Sequence, residues 1–206
     1  MIKAEIFKDN ISLETEDLIL RPSEWNDIDA FSKISSSAIW KYMSYDLENF
    51  SDWEKYISNS ISNRKAQSQQ EFTIILKSTN QIIGATTISN ISELDRKVEI
   101  GMTWLSEKYQ GKGLNQKVKL VLLSFLFDHL KINKVEFRTR GGNLKSQRAL
   151  NKIGAIKEGT LRQLIFRNEE YIDVVYYGIL ISEWEGVKKG LLKTNTDDSS
   201  MHGSER

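Results

Sequence analysis

Gln110-Gly111-Lys112-Gly113-Leu114-Asn115 sets two glycines between a strand-like run, Lys97 to Leu105, and an apolar pattern of helical period that starts at Leu114. The first N–H groups of a helix have no partner inside it, and glycine lets such backbone come close to a ligand. A strand, a glycine turn and a helix start therefore make an anion site. N–H groups from 111 to 115 are placed to meet a pyrophosphate. The competing reading is a solvent-exposed loop whose glycines serve backbone geometry alone. Residue 116 is Gln, so there is no G-x-G-x-x-G dinucleotide fingerprint, and no G-x-x-x-x-G-K-[ST] loop lies nearby. The phosphate ligand has to be of another kind.

Charge points the same way only locally. Between 112 and 148 the bases Lys112, Lys117, Lys119, Lys131, Lys134, Arg138, Arg140, Lys145 and Arg148 face only Asp128 and Glu136, a surplus of seven. That could neutralise a polyphosphate, although such runs are usually solvated faces, and Lys112 alone stands out by its place in the turn. Over all 206 residues, Lys+Arg 29 against Asp+Glu 28 gives +1, which argues against a nucleic-acid partner and against an acidic tail. There is no cysteine, and His129 and His202 are the two histidines, so thiolate chemistry is absent and a metal site is not expected. The N-terminal MIKAEIFKDNI lacks a secretory apolar core. The apolar run Leu120 to Phe127 is broken by Ser124 and too short to span a bilayer. The expectation is a cytoplasmic protein with no membrane partner.

Periodicity orders the elements that must hold the turn. Leu18 to Arg21 reads as a strand, followed by Ser23 as cap of a helix from Glu24 to Ile34. Ser51 with Glu54 reads as the capping pair of a polar helix over 52–68, and Trp40 to Phe50 is an aromatic loop between the two helices. Glu71 to Leu76, Gln81 to Ile88 and Lys97 to Leu105 read as an antiparallel meander. A helix from Gly113 to Leu130 follows, with an apolar face broad enough to lie on a sheet, then a strand from Val135 to Thr139. Asn143 caps a short helix to Ile153 that Gly154 ends, and Ile156 to Phe166 and Tyr171 to Leu180 close the fold as strands. Residues 1–192 read as one domain, and the polar stretch from Lys193 to Arg206 as a disordered tail.

Gln110-Gly111-Lys112-Gly113 resembles the start of the (Gln/Arg)-x-x-Gly-x-(Gly/Ala) signature of the GNAT superfamily of acetyl-CoA-dependent N-acyltransferases, and other motifs follow in order. Val98-Glu99-Ile100-Gly101-Met102-Thr103-Trp104-Leu105 resembles the central strand of the branch that acetylates ribosomal-protein N-termini at alanine or serine. Asn143 to Ser146, then Gly154-Ala-Ile-Lys-Glu158-Gly159, resemble its N-x-x-S helix and the G-(F/A)-x-x-E-G after it. Leu18 to Pro22 and Ile39 to Met43 resemble its opening strand and helix-linking loop. The resemblance covers residues 18–182. Asn115 stands where the wider superfamily prefers Gly or Ala, and Ile165 where some peptide-specific members carry a glutamate.

The resemblance implies an α+β, three-layer fold: a twisted, mixed but mostly antiparallel sheet of about seven strands whose fourth and fifth, 97–105 and 134–139, splay apart between flanking helices. Acetyl-CoA would lie in that gap as cosubstrate, without a metal. It would meet Met102, Trp104 and Leu105 on the strand, Gln110, Gly111, Lys112, Gly113, Leu114 and Asn115 in the turn, and Asn143 and Ser146 beyond. The reaction implied is acetyl transfer to a primary amine of a peptide or a small molecule. Glu99 is the candidate base, on a strand face shared with Gly101 and Thr103 opposite Val98, Ile100 and Met102. A carboxylate paired with a sheet neighbour is the other reading of it. Ser146 is the candidate acid for the thiolate, with Tyr177 and Tyr176 in reserve. Trp40, Tyr42 and Glu99 would wall the acceptor, though such aromatics are more often core. A non-catalytic acyl-CoA-binding module remains the alternative, and homodimer formation is left open.

Overall fold

The computed structural model describes residues 1–43, 45 and 47–200, with side chains through Lys193. In chain order the elements are α1 (Ile2–Ile6), β1 (Leu13–Glu14), β2 (Leu18–Pro22), α2 (Ile28–Ile34), α3 (Ser37–Trp40), α4 (Phe50–Lys65), β3 (Gln69–Leu76), β4 (Gln81–Ser92) and β5 (Lys97–Leu105). They continue with α5 (Leu114–Ser124), β6 (Lys134–Arg140), α6 (Leu144–Lys152), β7 (Ile156–Arg167), β8 (Glu170–Leu180) and α7 (Trp184–Ser200). The eight strands form one sheet in the order β1-β2-β3-β4-β5-β6-β8-β7. All pairs are antiparallel except β5 with β6. The two-residue β1 is the addition to the seven strands expected. The parallel pair follows from chain path, because β5 and β6 are joined by a crossover that contains α5.

Each sheet face has its own apolar core, which makes three layers. On one side Val118, Leu122 and Leu126 of the α5 region pack on Val98, Ile100, Val135 and Phe137, with Trp184 and Leu191 of α7 behind them. On the other side Phe31 of α2, Trp40, and Trp53 and Tyr56 of α4 gather on Ala85 and Trp104. α5 ends in a π-helical turn, Phe125–His129, where Leu130 N bonds back to Phe125 O.

The helices differ from expectation at several points, and α1 and α3 join those foreseen. α2 is preceded by a 3-10 turn, Trp25–Asp27, whose capping box joins Glu24 and Asp27 rather than starting at Ser23. Asn49 caps α4, accepting from Asp52 N at 3.1 Å while Asp52 returns the bond, so the helix starts at Phe50 and not after Ser51. α7 was not foreseen. Its first turns are anchored by Trp184, whose indole N–H donates to Asp128 at 2.7 Å, and a helix so nucleated propagates through Ser200 into the stretch expected to be disordered. Residues 201–206 lie outside the described residues.

Asp27 ties the second core together. It is 1% exposed and accepts both Arg21 guanidinium arms, at 2.6 and 2.9 Å, the Thr73 hydroxyl at 2.7 Å and Glu24 N at 3.0 Å. Removing it leaves Arg21 without its counter-ion in a partly buried site. Asp27→Ala is expected to cost about 3–5 kcal/mol in urea unfolding, and a change under about 1 kcal/mol would contradict this role.

Candidate active site

The site begins where a ladder stops. β5 and β6 pair at Lys97↔Lys134, Val98↔Val135 and Glu99↔Glu136 and nowhere further along, although both strands continue. Past Glu99, the β5 edge that faces β6 carries no ladder bonds. On the other edge Thr87 pairs Gly101 and Ala85 pairs Trp104, so Met102 and Thr103 together stand opposite Thr86. This is a β-bulge, with Met102 in the left-handed region at φ 45°. The bulge changes the pleat. Thr103 does not share Glu99's face: it falls on the α5 side, where its Oγ1 lies 2.7 Å from Thr86 Oγ1.

The turn at the mouth of this fork joins two left-handed glycines to a helix start. Gly111 and Gly113 sit at φ 76° and 70°, conformations open to glycine and strained for other residues. α5 starts at Gly113 with no side-chain cap, whereas Asn49 and Asn143 cap α4 and α6. Its first N–H groups are thus left for an external partner, and the space beside Gly111 is open. Lys112 is exposed and Asn115 half-buried. Gln110 is occupied otherwise: its amide donates to Leu105 O at 2.7 Å and its carbonyl accepts from Lys145, so it braces the turn between β5 and α6. Leu114, Leu105 and Trp104 are buried in the two cores, which leaves them backbone and wall to offer.

On the α4 face, Glu99 is 6% exposed and fully engaged. Oε1 accepts from Arg138 Nε at 2.9 Å and Oε2 from Asn90 Nδ2 at 2.8 Å. Gly101 keeps the floor beside it open, since a Cβ there would lie 3.3 Å from Glu99 Oε1 and 3.7 Å from Thr87 Oγ1. Arg138 also interacts with Tyr176. Tyr42 is exposed, near Gly142 at the start of α6. Trp40 is a core residue, 5% exposed and in edge contact with Trp53 at 5.6 Å, and its indole N–H donates to Ser35.

Asn143 Oδ1 accepts from Ser146 N at 3.1 Å, the cap foreseen, and fixes Ser146 in the first turn of α6 with its side chain half-buried. Tyr177 is 2% exposed in the core on the α5 side, its hydroxyl 3.5 Å from Gln147 of α6. Tyr176 faces the other side with Arg138.

Two buried ionisable groups went unnoticed in the sequence because they sit in ordinary strand and helix patterns. Lys119 of α5 donates to Thr103 Oγ1 at 2.6 Å, and burial lowers its pKa to about 7. Glu71 of β3 lies across the sheet in line with Thr87 and Gly101. Burial raises its pKa to about 7 against the opposing effect of the Tyr56, Ser23 and Ser60 side chains. The Tyr56 hydroxyl lies between the Glu71 carboxyl and the Trp104 indole and interacts with both.

The sheet is forked between two strands, with a bulge on one arm and an uncapped helix start at its mouth, the arrangement that the GNAT resemblance implies. The acetyltransferase (GNAT) domain model matches residues 17–156. The chain belongs to the GNAT acetyltransferase family and is an acetyltransferase, which favours the enzyme over the binding-module alternative. It is 34% identical over 107 residues to a candidate ribosomal N-acetyltransferase of Bacillus subtilis (strain 168), YdaF, covering 52% of this chain and 58% of that relative. With the ribosomal-protein-serine acetyltransferase of Escherichia coli (strain K12) it shares 25% over 144 residues, 66% of this chain and 79% of the other. Among solved structures, Mycobacterium smegmatis RimJ in complex with CoA-disulfide superposes with a TM-score of 0.74 at 21% identity, covering 86% of this chain and 89% of that one.

Glu71 makes stability depend on pH. A carboxyl whose folded pKa is raised contributes stability below its unfolded pKa near 4.3 and loses it as pH rises through about 7. Glu71→Gln is therefore expected to gain in melting temperature relative to wild type between pH 5 and pH 8, with most of the gain reached by pH 8. A difference that stays constant over that range would contradict the assignment.

Proposed function

We propose that the chain transfers an acetyl group from acetyl-CoA to a primary amine by direct attack on the thioester. The acceptor class is a protein N-terminal α-amine, an amino acid or a small-molecule amine, with the N-terminal α-amine first. The observation that carries the donor is the uncapped start of α5 behind Gly111 and Gly113, opening onto the fork. The names of the two ribosomal-protein relatives support a peptide acceptor.

In this reading the N–H groups of residues 111–115 and the Lys112 ammonium hold the pyrophosphate. The ladder-free edge of β5 from Met102 to Leu105 receives the pantetheine, with Asn143 on the far side, and a backbone N–H at the bulge polarises the thioester carbonyl. Glu99 attracts the acceptor's ammonium on the α4 face and receives its proton through water. Its pairing with Arg138 and Asn90 fixes its position for that task. Tyr42 lines the acceptor's approach. The amine nitrogen bonds to the acyl carbon and releases its second proton to solvent as the tetrahedral centre collapses, the C–S bond breaks with its electron pair passing to sulfur, and Ser146 gives the thiolate a proton that solvent replaces. The acyl group arrives already activated as a thioester, so no metal enters the scheme.

The direct test is thiol release from acetyl-CoA with a peptide bearing a free N-terminal serine, against the same peptide already Nα-acetylated. Release with the first and not the second is expected, and equal rates with both would overturn the α-amine assignment. Gly113→Asp places a strained side chain and a negative charge in the turn and is expected to weaken CoA binding by about 2 kcal/mol or more in calorimetry, without unfolding the chain. Unchanged binding would remove the pyrophosphate from this turn. Ser146→Ala is expected to lower kcat by about 10- to 1,000-fold at nearly unchanged CoA affinity, and wild-type turnover would return Ser146 to the helix surface.

A further inference from the structure

Lys119 is 4% exposed, and among the described residues it is a buried lysine with no carboxylate beside it. Its Nζ reaches both arms of the fork just past the last ladder pair: it donates to Thr103 Oγ1 of β5 at 2.6 Å and lies 5.7 Å from the ring centre of Phe137 of β6. Thr103 continues to Thr86, at 2.7 Å. One turn earlier on α5, Gln116 is 5% exposed with its Nε2 donor unpartnered. The carboxylates around it are engaged elsewhere. Asp17 pairs with Lys117, Asp128 with Lys188, and Glu99 with Arg138 on the opposite face of the sheet, while Tyr177 turns to Gln147.

A buried ammonium whose partners are one hydroxyl and the face of a ring is costly to the fold, and methionine would fill the same space at less cost. Its place under the fork gives the charge a use. We propose that Lys119 is a positioning residue for acyl transfer, clamped by Thr103 beneath the fork so that its positive charge favours the negative charge building on the thioester oxygen and the departing sulfur. The inference rests on the acyl-transfer reading above. Lys119 exchanges no proton in the step. The carbonyl electron pair moves onto oxygen and back as the C–S bond breaks, and Lys119 acts through the field it sets and through its hold on Thr103 at the bulge.

The charge is present only while the ammonium is. Burial brings its titration to about pH 7, so it is held below that pH and lost above it. The test compares wild type with Lys119→Met in kcat at saturating acetyl-CoA and serine-led peptide from pH 6 to pH 9, where the acceptor's own titration cancels in the ratio. Wild type is expected to be faster by about 10- to 100-fold at pH 6, with the ratio falling toward one by pH 9. A ratio that does not change with pH overturns the proposal and leaves Lys119 as packing. Loss of CoA binding in a folded Lys119→Met protein does the same, because the charge is assigned to the reacting atoms and not to the cofactor's phosphates. A second measurement needs no variant to fold: the Cε resonance of Lys119 in the wild-type protein is expected to titrate near pH 7, and a midpoint near 10.5 overturns the proposal. Wild type that releases no thiol overturns the acyl-transfer reading together with this one, whereas turnover with a flat ratio removes this inference alone.

Discussion

The early end of the β5–β6 ladder is the constraint on which the rest of the site depends. Three parallel pairs hold the strands together, and then their facing edges are left without each other while the sheet remains intact on both sides through β4 and β8. Unpaired backbone inside a sheet is costly unless something else meets it. The bulge at Met102 is what keeps the strands apart, because the extra residue bends β5 away and redirects the side chains that follow. The opening is thus built into the backbone, and a ligand with amide groups of its own can complete the ladder.

The two sides of the fork differ in chemistry because the two cores differ. On the α5 side lie the uncapped helix start, the capped start of α6 with Ser146, and Lys119 under the strands. On the α4 side lie the Glu99–Arg138 pair, the open floor at Gly101 and the exposed Tyr42. The aromatic core of Phe31, Trp40, Trp53, Tyr56 and Trp104 makes that second side rigid, with ring centres 5.2–6.5 Å apart. Under the proposed function, donor and acceptor approach from opposite faces and meet at the gap.

Much of this was legible in the residues. Period-two and helical patterns found the meander, α5 and the closing hairpin, and the glycine pair between a strand and a helix pattern marked the turn. Asn143 was recognisable as a cap because its amide has one obvious local use. Other features were hidden for physical reasons. Strict alternation put Thr103 beside Glu99, and a single extra residue at Met102, invisible in composition, reversed that. Trp40 reads more readily as core than as wall, and its ring neighbours place it in the core. Glu71 and Lys119 look like exposed charges in strand and helix, and only the packing of α4 and α5 against the sheet buries them. α7 has a weakly apolar pattern, and its docking rests on Trp184 and Leu191 reaching the first core.

The central claim is that acetyl-CoA completes the fork between β5 and β6 and seats its phosphates on the start of α5. Amide hydrogen exchange with and without acetyl-CoA tests this most directly. The account predicts new protection concentrated at residues 111–115 and along the facing edges past Glu99 on β5 and past Glu136 on β6, with the β2–β3 edge unchanged. Protection that leaves 111–115 and both edges as they were, while appearing on α4 or the β7–β8 hairpin, would contradict it.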